Sequence, residues 1–121
     1  LNAVKYADLL VEAKKFMVAK QFLRSACSIG ANVREAQNAE SRLDFIHKLK
    51  IAAKEADETE YWLLICNKSD GFPRNPQLYT NCVGISKILS KIIGTNKRIL
   101  QQSTNSNNIR DQITKSPNKL V

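Results

Sequence analysis

The stretch from Gln21 to Leu63, QFLRSACSIGANVREAQNAESRLDFIHKLKIAAKEADETEYWL, constrains the fold more than any other part of the chain. Placed on a helical wheel, Phe22, Ala26, Ile29, Gly30, Val33 and Ala36 gather on one side. Gln21, Arg24, Ser25, Ser28, Asn32 and Glu35 gather within about 100° on the other side. A solvated face is usually rich in charge. This one holds small, amide and hydroxyl side chains with one Arg and one Glu, a composition suited to close, hydrogen-bonded contact with another helix.

The next segment predicts a second long helix with a legible start. Ser41 is placed to cap it, and Asp44 completes an S-x-x-D capping box. Phe45, Leu49, Ala52, Ala56, Thr59 and Leu63 follow at alternating spacings of four and three, a heptad-like seam for packing on neighbouring helices. Four residues, Asn38 to Ser41, join the two segments. So short a link predicts an antiparallel hairpin. In that register Arg24 lies level with Glu55 and Gln21 with Glu58, which predicts a bridge from Arg24 to Glu55 or Glu58, within one subunit or between two.

These residues also carry a resemblance. Arg24-Ser25, Ser28-Ile29, Ala31-Asn32, Glu35-Ala36, Glu55, Glu58-Thr59 and Trp62-Leu63 are similar to the signature of the bacterial four-helix-bundle proteins encoded in intervening sequences of 23S ribosomal RNA genes. The likeness is tight over residues 18–66, looser to about residue 100, and does not cover the tail. The resemblance implies an all-α, antiparallel up-and-down four-helix bundle that assembles into a ring-like homo-oligomer, a pentamer. A relative, the accessory protein of diversity-generating retroelements, binds RNA and a reverse transcriptase. Structured RNA and a nucleic-acid enzyme such as a reverse transcriptase are therefore the partners the resemblance implies. The biochemical role of the ribosomal-gene members is poorly defined.

The remaining segments fit one bundle over residues 1–102. Ala3 to Val11 predicts a first helix, short for a bundle unless it continues through Glu12–Lys15. The second helix is expected over Val18–Gln37 and the third over Arg42–Asn67. Gly71, Pro73 and the Asn75-Pro76 pair mark a loop and then an N-cap. A fourth helix follows to about Gln102, with Leu78, Cys82, Ile85, Leu89, Ile92 and Ile99 expected on its buried side. From Ser103 to Asn108 every residue is Ser, Thr or Asn, and residues 103–121 read as a mobile polar tail with one transient turn around Ile109–Ile113. The chain opens on Leu1 and its only Met is Met17, so either the genetic start lies upstream or the numbering begins after processing.

The net charge of +8 over 121 residues favours polyanionic partners. Three cysteines, Cys27, Cys66 and Cys82, lack metal-ligand spacing and fit free, buried thiols in a reducing cytoplasm. No apolar run approaches the length of a membrane span, and no membrane partner, metal or cofactor is expected.

The excess charge sits late in the chain. Lys87, Lys91, Lys97 and Arg98 give +4 over residues 77–102, and no acidic residue occurs between Gly71 and Arg110. Lys87, Lys91 and Arg98 lie within about 40° on the wheel. They form a candidate RNA-phosphate contact surface, the alternative being a plain solvated face. Without interleaved aromatics, binding would follow shape and charge rather than base stacking. Ile51, Trp62 and Ile65 make a second apolar patch on the third helix, either a subunit interface anchored on Trp62 or a surface covered by the first helix or by Phe72. Glu55, Asp57 and Glu58 favour the Arg24 bridge over a metal site.

No catalytic residue is assigned, and the expectation is a non-enzymatic binding or scaffold protein. One alternative is a protein-interaction module without a nucleic-acid role. A more distant one is a ribonuclease of the HEPN type, from the Arg42…His47 spacing. On a regular helix those two side chains diverge by about 140°, and Leu43 stands where that signature has a polar residue.

Overall fold

The computed structural model describes residues 2–115. Four helices follow in order: α1 (Asn2–Glu12), α2 (Phe16–Gln37), α3 (Arg42–Lys68) and α4 (Pro76–Lys115). Among the described residues there is no strand. Consecutive helices pack on one another, and the other pairs barely meet. Each packed pair is antiparallel. Tyr6 meets Phe22, Arg24 meets Glu55 and Glu58, and Arg42 meets Asn96.

The helix ends follow local chemistry. Ser41 Oγ accepts the Asp44 amide at 3.0 Å and Asn75 Oδ1 accepts the Leu78 amide at 3.0 Å, so both expected caps form. The loop between α3 and α4 is held by Asn67, whose Oδ1 accepts the Asn75 amide at 2.7 Å, and by Tyr6, whose hydroxyl donates to the Pro73 carbonyl at 2.6 Å. Gly71 takes a φ of 80° in that loop. The turn between α1 and α2 closes with the Lys15 amide on the Leu10 carbonyl at 2.8 Å and the Lys14 amide on the Val11 carbonyl at 2.9 Å. This is a Schellman ending, and Lys14 holds its left-handed position at a φ of 61°.

The core has two parts. One unites Tyr6, Leu10, Phe22, Leu63, Cys66 and Cys82, with the Tyr6 and Phe22 rings edge to face at 5.2 Å between centroids. The second unites Ile29, Ala36, Leu49, Ala52, Ala56 and Leu89. Helix α1 contributes only to the first. Helix α3 is buried along Ile46, Leu49, Ala52, Ala56, Thr59, Leu63 and Cys66, so its seam runs close to the expected one, with Phe45 only half-buried.

Three expectations are corrected. Helix α4 does not stop at Gln102 but continues to Lys115, because nothing from Ser103 to Lys115 is a Gly or Pro and each added residue extends an existing hydrogen-bond ladder. Residues 103–114 are exposed helix, not irregular tail, and the expectation for 116–121 lies outside the described residues. Of the apolar positions assigned to the buried side of α4, only Cys82 and Leu89 are buried, while Ile85, Ile92 and Ile99 are exposed. The helix turns a neighbouring stripe toward α3. Cys27 is exposed, unlike Cys66 and Cys82.

A lysine in the left-handed region costs about 1 kcal/mol relative to glycine. Lys14→Gly should therefore stabilise the fold by about that amount, measured as a raised midpoint in urea with an unchanged m-value.

Candidate nucleic-acid interface and the polar network of the α2–α3 hairpin

The polar stripe of α2 divides into three uses. Arg24 extends to α3, where Nη1 lies 3.3 Å from Glu55 Oε2 and Nη2 bonds Glu58 Oε2. Its Nε donates to Gln21 Oε1 at 3.2 Å, and Trp62 Nε1 donates to Glu58 Oε2 at 3.5 Å. The expected bridge is thus formed inside one chain. Glu35 reaches α3 as well, 3.3 Å from Lys48 Nζ. Ser28 and Asn32 turn back onto their own helix, donating to the Arg24 and Ser28 carbonyls at 2.8 Å each.

Ser25 departs from the stripe. It is fully buried beside Thr59, with Thr59 Oγ1 2.9 Å from Ser25 Oγ and 2.8 Å from the Glu55 carbonyl. Ser25 Oγ donates to the Phe22 carbonyl at 3.0 Å. A wheel places Ser25 beside Arg24, but the small hydroxyl fits the hairpin seam because Thr59 supplies a matching polar partner.

The candidate interface residues on α3, Ile51, Trp62 and Ile65, are all half-buried. Trp62 packs on the first core cluster, and its contact with Glu58 ties it to the Arg24 network. More exposed apolar side chains lie elsewhere: Met17 at the start of α2, Leu43 at the start of α3 and a run of isoleucines on α4. The signal for those on α4 is present in the sequence as a run of isoleucines, which periodicity alone places on the core side.

On α4, Lys87, Lys91, Lys97 and Arg98 are all exposed. Among the described residues none of the four lies within ion-pair distance of a carboxylate, and Arg98 Nη2 donates only to Thr95 Oγ1 at 3.3 Å. Their charge is available to an external anion. The structure does not bring Arg42 and His47 together. Arg42 Nη1 donates to Asn96 Oδ1 at 2.5 Å and lines one depression with Phe45, whereas exposed His47 lines another with Leu43 and Lys50. Among the described residues no group of His, Cys, Asp and Glu is placed to hold a metal ion.

Two titrating groups mark the α3–α4 seam. Burial raises the Glu60 carboxyl, and Asp57 adds to the effect, while Ser86 Oγ at 3.4 Å from Glu60 Oε2 opposes it. Burial pushes the Cys82 thiol up to about 11, with the charges of Glu60 and Asp57 adding to it, and burial raises Cys66 too.

Among the described residues the chain is all-α, with four helices, and the last carries a basic surface with no carboxylate in ion-pair distance. A family model described as 23S rRNA-intervening sequence protein matches residues 2–91, most of the chain. The chain belongs to that family. A crystal structure of a protein of unknown function from the S23 ribosomal protein family of Bacteroides thetaiotaomicron shares 45% identity, with 76% of this chain and 88% of that one covered at a TM-score of 0.71. No curated protein matches.

Three outcomes test this arrangement. Arg24 is 45% exposed, so Arg24→Ala should cost less than about 1 kcal/mol. Thr59→Ala removes a buried hydrogen bond and two heavy atoms, and should cost more, about 2 kcal/mol by urea unfolding. In thiol titration of the native protein near neutral pH, Cys27 should react at once. Cys66 and Cys82 should react only after denaturation, because burial both shields them and keeps them protonated.

Proposed function

We propose that this protein is a non-enzymatic, RNA-associated binding or scaffold protein, working in the cytoplasm as a homo-oligomer. One observation carries the reading. Lys87, Lys91, Lys97 and Arg98 stand exposed on one helix, without a carboxylate partner among the described residues, in a stretch of chain without an acidic residue. Phosphate contacts of this kind position a nucleic acid without reading its sequence. A homo-oligomer, pentameric by the resemblance, would repeat the four cations and multiply a weak single contact. The family's link to ribosomal RNA genes favours structured RNA as the polyanion. With no aromatics interleaved among the cations, recognition of shape is favoured.

A protein-interaction role without nucleic acid is the second reading, favoured by the exposed isoleucines of α4. Arg42 is engaged by Asn96 and separated from His47, which supports leaving the HEPN-type ribonuclease aside. If cleavage of RNA were observed and survived His47→Ala, that alternative would be eliminated.

The test is a binding titration with a structured RNA and a matched DNA duplex at several salt concentrations. Log affinity should fall linearly with log salt. Lys87→Glu combined with Lys91→Glu should weaken binding evenly across sequences and reduce the slope by roughly one for each phosphate left without its cation. Unchanged affinity in the double variant would remove this surface from the reading.

A further inference from the structure

Helix α4 carries two apolar stripes. One, through Cys82, Leu89 and Ile93, lies on the core shared with α3. The other, Ile85, Ile88, Ile92, Ile99, Ile109 and Ile113, is exposed, with Ile88, Ile109 and Ile113 at 60%, 59% and 50%.

The second stripe keeps a seven-residue repeat. Lettered as a heptad, Ile85, Ile92, Ile99 and Ile113 fall at a, with Ser106 between the last two. Ile88 and Ile109 fall at d, with Thr95 and Gln102 between them. A straight helix drifts by about 20° per heptad from such a repeat. Over the four heptads from Ile85 to Ile113 the drift would reach about 80°, unless the helix supercoils with a partner of the same period. The seam is therefore matched to another helix rather than to a flat surface.

Two observations say which helix. First, the seam outlasts the rest of the fold. The start of α3 lies level with Asn96, and from there α4 advances about 28 Å to Lys115. Residues 103–114 are exposed throughout, so no described part of this chain covers Ile109 or Ile113. Second, the flanking charges suit like helices laid parallel. Lys91 and Arg98 occupy g positions, and a parallel, in-register neighbour places Asn96 and Ser103 at the facing e positions. Asn105 at g would face Arg110 at e, so no two like charges of α4 itself are paired, and the one cation brought near Lys91 is the Arg42 guanidinium held by Asn96.

We propose that α4 is the self-association element of this protein, packing parallel and in register on α4 of other copies along Ile85 to Ile113. The proposal rests on the homo-oligomer of the reading above and is independent of RNA. Parallel helices about one axis give a closed cyclic assembly. Isoleucine at both a and d favours three or more strands over two. At its proximal end the seam borders a groove of about 300 Å³ with Val33 and Gln37 of α2 on the far side, which receives side chains of the neighbouring copy. Lys87 and Lys97, at c and f, remain outward and open to phosphate.

The test uses the full chain, with mass measured by sedimentation equilibrium over a range of concentrations. Ile109→Asn with Ile113→Asn lies beyond the packed core and leaves the bundle folded, as circular dichroism will verify. The double variant should raise the concentration needed for assembly at least tenfold. In a Cys27→Ser background, Thr95→Cys and Ser106→Cys should each be joined to their own counterpart by a short bis-maleimide; an antiparallel pair cannot satisfy both. An assembly whose mass is unaffected by the double variant and whose two cysteines do not cross-link overturns the seam while leaving the oligomer standing. A wild-type chain that stays monomeric at high concentration overturns both.

Discussion

The α2–α3 hairpin depends on a buried pair of hydroxyls. Ser25 and Thr59 meet in the buried seam between the two helices, and Ala52 and Ala56 are fully buried beside them on α3. Small side chains bring the backbones together, and each hydroxyl also has a carbonyl of its own helix in reach. A polar group in that position without a partner would cost about 1–3 kcal/mol. Matched, the pair fixes register, and the register sets Arg24 against Glu55 and Glu58. The ion pairs outside the seam follow from the hairpin; being exposed, they add little to its stability.

Helix α3 takes the central place because it is buried on two sides. Its small residues admit α2, and its other flank receives Cys82 and Leu89 from α4. Helix α1 closes only the end of the bundle around Tyr6, Phe22 and Leu63. The result is an asymmetric bundle. One end is closed by α1 around Tyr6 and Phe22, and at the other α4 stands on α3 with an apolar stripe uncovered and a basic stripe beside it. Both features proposed to have a role, phosphate contact and self-association, belong to this one helix.

Much of this is legible in the residues. Ser41 and Asn75 announce two helix starts, the four-residue link announces the hairpin, and the hairpin register announces Arg24 against its carboxylates. Two of the failures share a cause, a partner that the local sequence does not name. Periodicity identifies an apolar face but not what covers it, so it places the isoleucines of α4 in the core when a neighbouring stripe fills that position. Ser25 reads as one member of a polar stripe facing another helix, and its full burial is not legible because it depends on Thr59, a partner 34 residues away. The Ser, Thr and Asn run after Gln102 reads as coil because those residues propagate a helix poorly; it continues as helix because nothing there breaks the ladder.

The claim that α4 holds the polyanion-binding surface is tested most directly by lysine footprinting. The protein, free and bound to a structured RNA, would be acetylated briefly and the modified lysines identified by mass spectrometry. Protection of Lys87, Lys91 and Lys97 together, with Lys50 and Lys54 on α3 left reactive, is the result this account predicts. Protection centred on Lys50 and Lys54, or none at all in a saturated complex, would contradict it.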